Sequence, residues 1–171
     1  MPTKSQIKTD QNIIQFLRKL KIKTPYDLVT LRNLIQNSLE FRPYNRKTKK
    51  HADSIQWTRT ASEIICDKFV YFGKACSDLA VVFLALCKCA GVNGHFVKLV
   101  TLDKKQTHSI VEIKLGKTWY RLDPSSRDSI PFQGQLTKKS IWNKTFQVFK
   151  KGHDAWALGF DGIEKEKEIY K

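Results

Sequence analysis

The sequence predicts an α+β protein, with helices first and an antiparallel sheet after them. Three observations predict this order. Apolar side chains recur at helical spacing in three segments within about residues 1–70. An almost wholly apolar segment over about 76–90 is typical of a buried central helix. Three strand-like runs then follow one another, and because they do not alternate with helices, the pattern favours α+β over a parallel α/β sheet.

The first helix is predicted within residues 4–20, where apolar side chains recur at helical spacing. Four of them fall on one face: Ile13, Ile14, Leu17 and Leu20. A second helix is predicted over about 25–39, because Thr24 is suited to the N-cap and Pro25 to the first helical position.

Residues 40–53 are polar and basic and contain a proline, so they are predicted to form a surface loop. A third helix is predicted over about 54–67. The apolar central helix follows over about 76–90, and Gly91 is well placed to end it.

Three strands are predicted after the central helix, over His95–Leu102, Thr107–Leu115 and Thr118–Asp123. The second and third are separated by Gly116 and Lys117, which favour a turn. These two strands are therefore expected to form an antiparallel hairpin.

Cys76 lies where the apolar helix is predicted to begin, and this position suits a nucleophile. The working nucleophile is the thiolate, and the positive end of a helix dipole favours that form. The free backbone N–H groups of the same turn offer donors to an oxyanion. His108 at the start of one predicted strand and Asp123 at the end of the next complete the residue types of a Cys-His-Asp triad.

This triad requires an even register in the predicted hairpin, because side chains alternate between the two faces of a sheet. A four-residue loop would place His108 directly opposite Asp123. A two-residue loop at Gly116 and Lys117 would place them on the same face, one diagonal step apart. A loop of three or five residues would separate them onto opposite faces.

The segment from Gly73 to Ser125 resembles the transglutaminase-like branch of the papain-like cysteine enzymes. Its three motifs match ACSDLAVVFLALCKCAGV, THSIVEI and WYRLDPS, in that order. The stretch GHDAWALGF near residues 152–160 is similar to the ending of short microbial members. Two positions depart from the family pattern: Lys74 stands where a glycine is usual, and Ile110 stands where an aromatic residue is common.

The resemblance implies a papain-like core in which Cys76 is the nucleophile, His108 the base and Asp123 the residue that orients it. It also implies an upstream Trp or Gln side chain that helps to stabilise the oxyanion. Gln56 and Trp57 are the candidates by their order in the chain.

We therefore predict a cysteine enzyme that attacks a peptide or carboxamide carbonyl and forms a thioester, with a protein or peptide as substrate. Hydrolysis is the favoured outcome, because small microbial relatives are thought to be mostly proteases. Protein-glutamine transamidation and deglycosylation of asparagine-linked sugars are alternatives within the family. A basic, catalytically silent module that binds nucleic acid or acidic partners is the alternative from another class.

One domain is predicted for the 171 residues. Its parts are a helical region of about 1–70, a catalytic core of about 73–125 and a C-terminal extension of about 126–171. An apolar fraction of 41% argues against disorder. No membrane-spanning run is present, and the polar first ten residues do not resemble a signal peptide, so a cytoplasmic location is expected.

The net charge of +15 is expected to attract nucleic acid, anionic membranes or acidic proteins. The alternative is a lysine-rich solvated surface, since the basic clusters are scattered along the chain.

The cysteines lack zinc-site spacing, and neither a metal nor another cofactor is predicted. The four cysteines are Cys66, Cys76, Cys87 and Cys89.

Overall fold

The computed structural model describes residues 4–171 and has the predicted α+β architecture. The helices within this range are α1 (Gln11–Leu17), α2 (Pro25–Ser38), α3 (Lys49–Ile55), α4 (Ala61–Asp67), α5 (Ala75–Cys89) and α6 (Ile163–Lys167). The strands are β1 (Glu40–Arg42), β2 (Phe69–Tyr71), β3 (Gly94–Thr101), β4 (Thr107–Leu115), β5 (Thr118–Leu122), β6 (Phe132–Gln133), β7 (Ile141–Trp142) and β8 (Phe146–Gly152).

An antiparallel sheet of six strands forms one layer, in the order β6-β5-β4-β3-β8-β7. The three strands predicted from the sequence form its centre and one flank. The C-terminal region adds β6 to one edge and β7 and β8 to the other. No helix within the described range is both long enough and apolar enough to cross a membrane.

Helix α5 is the centre of the fold, and its side chains are buried almost continuously up to Cys87. One side of α5 packs on the sheet face that presents Phe96, Val111 and Ile113. Its other side is covered by α1, α2 and α4. A helix enclosed in this way must be apolar all round, which explains the uniform composition of the segment.

The opposite face of the sheet has a smaller apolar cluster of its own. Val97, Leu99 and Ile110 pack there against side chains from the C-terminal region. This second layer explains why the central strands are apolar on both faces.

Two helix starts are fixed by reciprocal capping. Thr24 accepts from the backbone N–H of Asp27, whose carboxylate accepts in return from the backbone of Thr24. Thr60 and Glu63 form the same arrangement at the start of α4. The prediction of Thr24 as an N-cap is confirmed, with Pro25 in the first turn.

The helix predicted within residues 4–20 is α1, which ends at Leu17, since Arg18 adopts a positive φ of 55°. Ile14 was assigned to the buried face, but it is 47% exposed, whereas Ile7 is buried outside the helix. Apolar side chains of this segment therefore contribute to the core both inside and outside the helix.

The predictions for residues 40–53 and 54–67 also need correction. The first segment contains β1, which pairs in parallel with β2, and it also contains the start of α3. The second segment is divided, because the capping box at Thr60 begins a new helix after α3 has ended at Ile55. The N-terminal region is thus not wholly helical.

Arg59 joins the end of α4 and the start of β2 to the first turn of α5. Its guanidinium lies 2.6 Å from Asp78 and 3.0 Å from Asp67, and it also donates to the carbonyl of Phe69. Burial raises the pKa of Asp78, and the positive charge of Arg59 opposes that rise. Asp78 would otherwise place an uncompensated negative charge in the first turn of the central helix.

Replacing Arg59 with Met should lower the free energy of unfolding by about 3–5 kcal/mol, because it strands a buried carboxylate. Urea denaturation measures this loss. The control is Lys167→Gln, which removes the exposed ion pair with Glu164 and should change stability little. Equal urea midpoints for the two variants would contradict the structural role given to Arg59.

Candidate active site

The chain enters α5 through a tight turn that places Cys76 in the first helical turn. The turn follows β2, and the N–H of Lys74 donates to the carbonyl of Tyr71 over 3.0 Å. Gly73 adopts a φ of +75°, a conformation that glycine takes without strain. Cys76 is the second residue of α5 and is half-buried, as the sequence predicted for a nucleophile at a helix N-terminus.

The hairpin register satisfies the even-register condition. Leu115 pairs with Thr118 across the two-residue turn at Gly116 and Lys117. His108 and Asp123 therefore lie on one face, a diagonal step apart, and Nε2 of His108 is 2.6 Å from Oδ2 of Asp123.

Asp123 is fixed by serine residues that the sequence analysis did not identify. Its second carboxylate oxygen accepts from the N–H and the hydroxyl of Ser125, at 2.8 and 2.6 Å. Its own N–H donates to the hydroxyl of Ser129 over 3.0 Å. Gln36 of α2 binds the carbonyl of Pro124 over 2.6 Å, which anchors this loop to the helical layer.

Cys76 and His108 shift each other's pKa. Burial raises the pKa of Cys76, but the hydrogen bond and charge of His108, with the charge of Lys98, bring it below the ordinary value. Burial lowers the pKa of His108, but hydrogen bonds with Asp123 and Cys76 raise it to about 10. These directions favour a thiolate-imidazolium pair at neutral pH. Because Nε2 faces Asp123, Nδ1 is the ring nitrogen left for Cys76.

Asp123 keeps its charge in this arrangement. Burial raises its pKa, but the combined hydrogen bonds and charge of His108 and the hydrogen bonds of Ser125 hold it below the usual value. A charged carboxylate stabilises the imidazolium and fixes the orientation of its ring.

Cys76 lines a cleft of about 290 Å³. The other lining residues come from the end of α3, the turn before α5 and its first turn, the β3-β4 loop with the start of β4, and the C-terminal segment: Gln56, Gly73, Lys74, Ser77, Lys105, Gln106, Thr107, Glu166 and Tyr170. Gln56 donates from Nε2 to the hydroxyl of Ser77 over 2.8 Å. The structure thus brings this oxyanion candidate to the cleft that contains Cys76.

The other oxyanion candidate, Trp57, lies in the core and does not line this cleft. Its side chain is 1% exposed, and its indole N–H donates to Glu166 over 3.1 Å. The backbone of Trp57 has a φ of +69°, which is strained for a residue with a large side chain. Its carbonyl accepts from Gln6 over 3.1 Å and from the indole of Trp156 over 2.6 Å, and these bonds hold the strained conformation beside Gln56.

The GHDAWALGF motif supports this backbone instead of contributing to the cleft lining. Asp154 is fully buried and accepts from Ser5, from the N–H of Gln6 and from the N–H of Ala157. Trp156 supplies the donor to the Trp57 carbonyl. The motif therefore ties the two ends of the described chain to the residue that follows Gln56.

A buried ion pair between Lys98 and Glu166 was not predicted. Nζ of Lys98 lies 2.7 Å from Glu166 and 2.9 Å from Thr107, and 4.5 Å from the centre of the Trp57 ring. Glu166 belongs to the polar C-terminal tail, where its neighbours give no sign of burial. The only sequence signal was Lys98 itself, a lysine within an apolar strand.

The remaining cysteines differ from Cys76 in their surroundings. Cys66 is exposed, Cys87 is buried and Cys89 is half-buried, and all three are free. Burial raises the pKa of Cys87 and of Cys89. Across residues 4–171, no three His, Cys, Asp or Glu side chains cluster in a way that could hold a metal ion.

Cys76 should react with iodoacetamide at about pH 6, well below the ordinary pKa of a thiol. A lowered pKa preserves the thiolate as pH falls, and reactivity is lost only when pH passes below that lowered value. Peptide mapping by mass spectrometry measures the alkylation rate of each cysteine. His108→Ala should return Cys76 to the slow rate of the urea-unfolded chain at this pH.

Cys66 is the internal control, because it is a free and exposed cysteine outside the cleft. Equal alkylation rates for Cys76 in folded and unfolded protein at about pH 6 would contradict an activated thiolate.

Part of the chain matches a known protein family. The family model described as the transglutaminase-like superfamily matches residues 15–124, a range that includes Cys76, His108 and Asp123. No curated protein matches the chain.

Three solved structures have a similar fold. LapG of Legionella pneumophila has a TM-score of 0.53 and 15% identity, over 93% of this chain and 84% of LapG. EGTA-treated LapG has a TM-score of 0.50 and 16% identity, over 92% and 86% of the two chains. A candidate cysteine protease from Cytophaga hutchinsonii has a TM-score of 0.50 and 15% identity, over 90% of this chain and 51% of its own.

This chain therefore spans about half the length of the Cytophaga protein. The identities are low, and the structural similarities show a shared fold. The family match covers more than half of the 171 residues. The chain belongs to the transglutaminase-like superfamily.

Proposed function

We propose that this protein is a cysteine hydrolase that cleaves a peptide or carboxamide bond through Cys76, His108 and Asp123. The observation that carries the proposal is the 2.6 Å contact between His108 and Asp123, and the pKa of the same ring is raised by Cys76. A nucleophile, a base and an orienting carboxylate in contact are the elements of acyl transfer through a covalent intermediate.

In the first step the thiolate of Cys76 attacks the carbonyl carbon, and a carbon-sulfur bond forms. The carbonyl electron pair moves to oxygen and gives a tetrahedral oxyanion. When this intermediate collapses, Nδ1 of His108 gives its proton to the departing nitrogen. An amine leaves and a thioester remains on Cys76.

The oxyanion has two donors close to Cys76. The backbone N–H groups in the first turn of α5 are one source, since no side chain caps this helix. The amide of Gln56 is the other, because its nitrogen carries two N–H groups and the bond to Ser77 uses one of them. Donors fixed before reaction stabilise the charge that develops in the transition state.

Water completes the reaction in this proposal. His108 takes a proton from water, the resulting nucleophile attacks the thioester, and a carboxylic acid leaves Cys76. Hydrolysis stands ahead of transamidation because the Cytophaga protein of similar fold is described as a candidate cysteine protease. Attack by a lysine amine would instead give a new amide.

A cleavage screen in ¹⁸O-labelled water tests the proposal. The protein is incubated with an unfolded proteome, and new peptide termini are identified by mass spectrometry. Hydrolysis should give new carboxyl termini that contain ¹⁸O, and Cys76→Ala should abolish them. Crosslinked glutamine and lysine side chains without new termini would instead indicate transamidation, and equal products from Cys76→Ala would contradict both reactions.

Gln56→Ala should lower kcat by about 10²–10³-fold on a substrate from that screen, because it removes one oxyanion donor. The acid limb of the pH profile should not move, since that limb reports the thiolate-imidazolium pair. Gln15→Ala, on the exposed side of α1, is the matched control and should keep full activity. A kcat unchanged by Gln56→Ala in a correctly folded variant would exclude this role for Gln56.

A further inference from the structure

The charges around the cleft are unevenly balanced. Lys74, Lys105 and Glu166 all line the cavity beside Cys76. Glu166 is already neutralised by Lys98 and also accepts from Thr107 and from an indole N–H. The two cleft lysines therefore decide which charge a substrate meets.

Lys74 is held at the edge of the cleft, two residues before the nucleophile. It is half-buried, and its ammonium lies 5.5 Å from the centre of the Tyr44 ring. Asp53 lies near enough for the charge of Lys74 to act on its carboxylate. Asp53 is already bound, however, to Lys49 and to the hydroxyl of Tyr44. An aromatic ring holds the ammonium in place without neutralising its charge.

Lys105 also lines the cleft, from the loop between β3 and β4. Its ammonium is 3.7 Å from Asp103, and the side chains are 80% and 56% exposed. An ion pair this exposed contributes little and is easily exchanged for another partner. Asp103 also serves the loop itself, accepting from Thr101 and from the backbone of Lys105.

The surrounding surface extends the same positive field. Tyr44, which lies beneath Lys74, belongs to a loop that also carries the exposed residues Arg46 and Lys47. The whole chain has a net charge of +15. A cleft lined with one sign of charge concentrates ligands of the opposite sign.

We infer that the cleft selects an acidic peptide segment, with a carboxylate side chain next to the carbonyl that Cys76 attacks. Lys74 and Lys105 are the specificity-determining residues, and a substrate carboxylate between them gains two charge-assisted contacts. This inference rests on the proposed function, since it names the substrate class of the same cleft.

The test compares two alkylating probes that differ in charge. Iodoacetate carries a carboxylate next to its reactive carbon, whereas iodoacetamide carries a neutral amide. With either probe the Cys76 sulfur bonds to the carbon and iodide leaves. The measured quantity is the rate at which iodoacetate alkylates Cys76, divided by the rate with iodoacetamide. Both rates are determined at low ionic strength by peptide mapping.

The double variant Lys74→Gln/Lys105→Gln should lower this ratio by roughly tenfold, or about threefold for each lysine. High salt should lower the ratio of the wild-type protein in the same direction, because it screens exposed charges. Lys138→Gln/Lys139→Gln is the matched control, since both residues are exposed, both lie outside the cleft and the net charge changes equally. This control should keep the wild-type ratio.

The outcomes separate this inference from the proposed function. An equal ratio in all three proteins, with rapid labelling of Cys76, overturns the acidic selection and leaves the cysteine chemistry intact. Equal decreases in both double variants attribute the effect to the overall charge and also overturn the role of the cleft. Slow labelling of Cys76 by both probes in the wild-type protein overturns the proposed function together with the inference.

Peptidyl chloromethyl ketones extend the test to substrate-like ligands. Two probes are matched except for Glu or Gln beside the reactive carbon. The Glu probe should inactivate the wild-type protein several-fold faster, and the cleft double variant should lose this preference. A preference for the Gln probe in the wild-type protein would contradict an acidic substrate.

Discussion

The pairing of β4 with β5 across a two-residue turn is the constraint on which the site depends. Leu115 pairs with Thr118, and this pairing fixes the face of the sheet on which each other residue of the hairpin lies. A slip of one residue would move Asp123 to the other face and separate it from His108. The buried side chains of Val111 and Leu122 oppose such a slip, because it would expose apolar surface. The same burial that stabilises the sheet therefore aligns the base with its orienting carboxylate.

Distant parts of the chain converge on the part of the cleft that Gln56 and Glu166 line. Gln6 near the start and Trp156 near the end both bind the carbonyl of Trp57, which holds an unfavourable backbone angle. Glu166 then fixes the indole of Trp57 and compensates the buried charge of Lys98. These contacts place Gln56 beside the first turn of α5. The terminal segments are structural supports for the cleft, although they lie far from Cys76 in the sequence.

The sequence predicts those parts of the molecule that depend on local patterns. Periodicity located the central helix and the three main strands, and alternation limited the hairpin to a few registers. Capping chemistry identified Thr24, and the position of Cys76 at the helix start followed from where the apolar run begins. Each of these signals is contained within a short segment.

The rest depends on long-range pairing that no local pattern encodes. Lys98 and Glu166 are 68 residues apart, and each is buried only because the other is present. The division of the third predicted helix and the short β1-β2 pair likewise depend on tertiary contacts. One domain over 1–171, a cytoplasmic location and an acidic or nucleic-acid partner stay predictions.

His108 should carry a proton at neutral pH, because it lies between a thiolate and a carboxylate. Nitrogen NMR of ¹⁵N-histidine-labelled protein reports the charge and the tautomer of His108 directly. We expect His108 to stay protonated through neutral pH, toward its pKa of about 10, and Cys76→Ala to lower that pKa. Titration of His108 near the ordinary histidine value of about 6.5, unchanged by Cys76→Ala, would show that no thiolate-imidazolium pair forms.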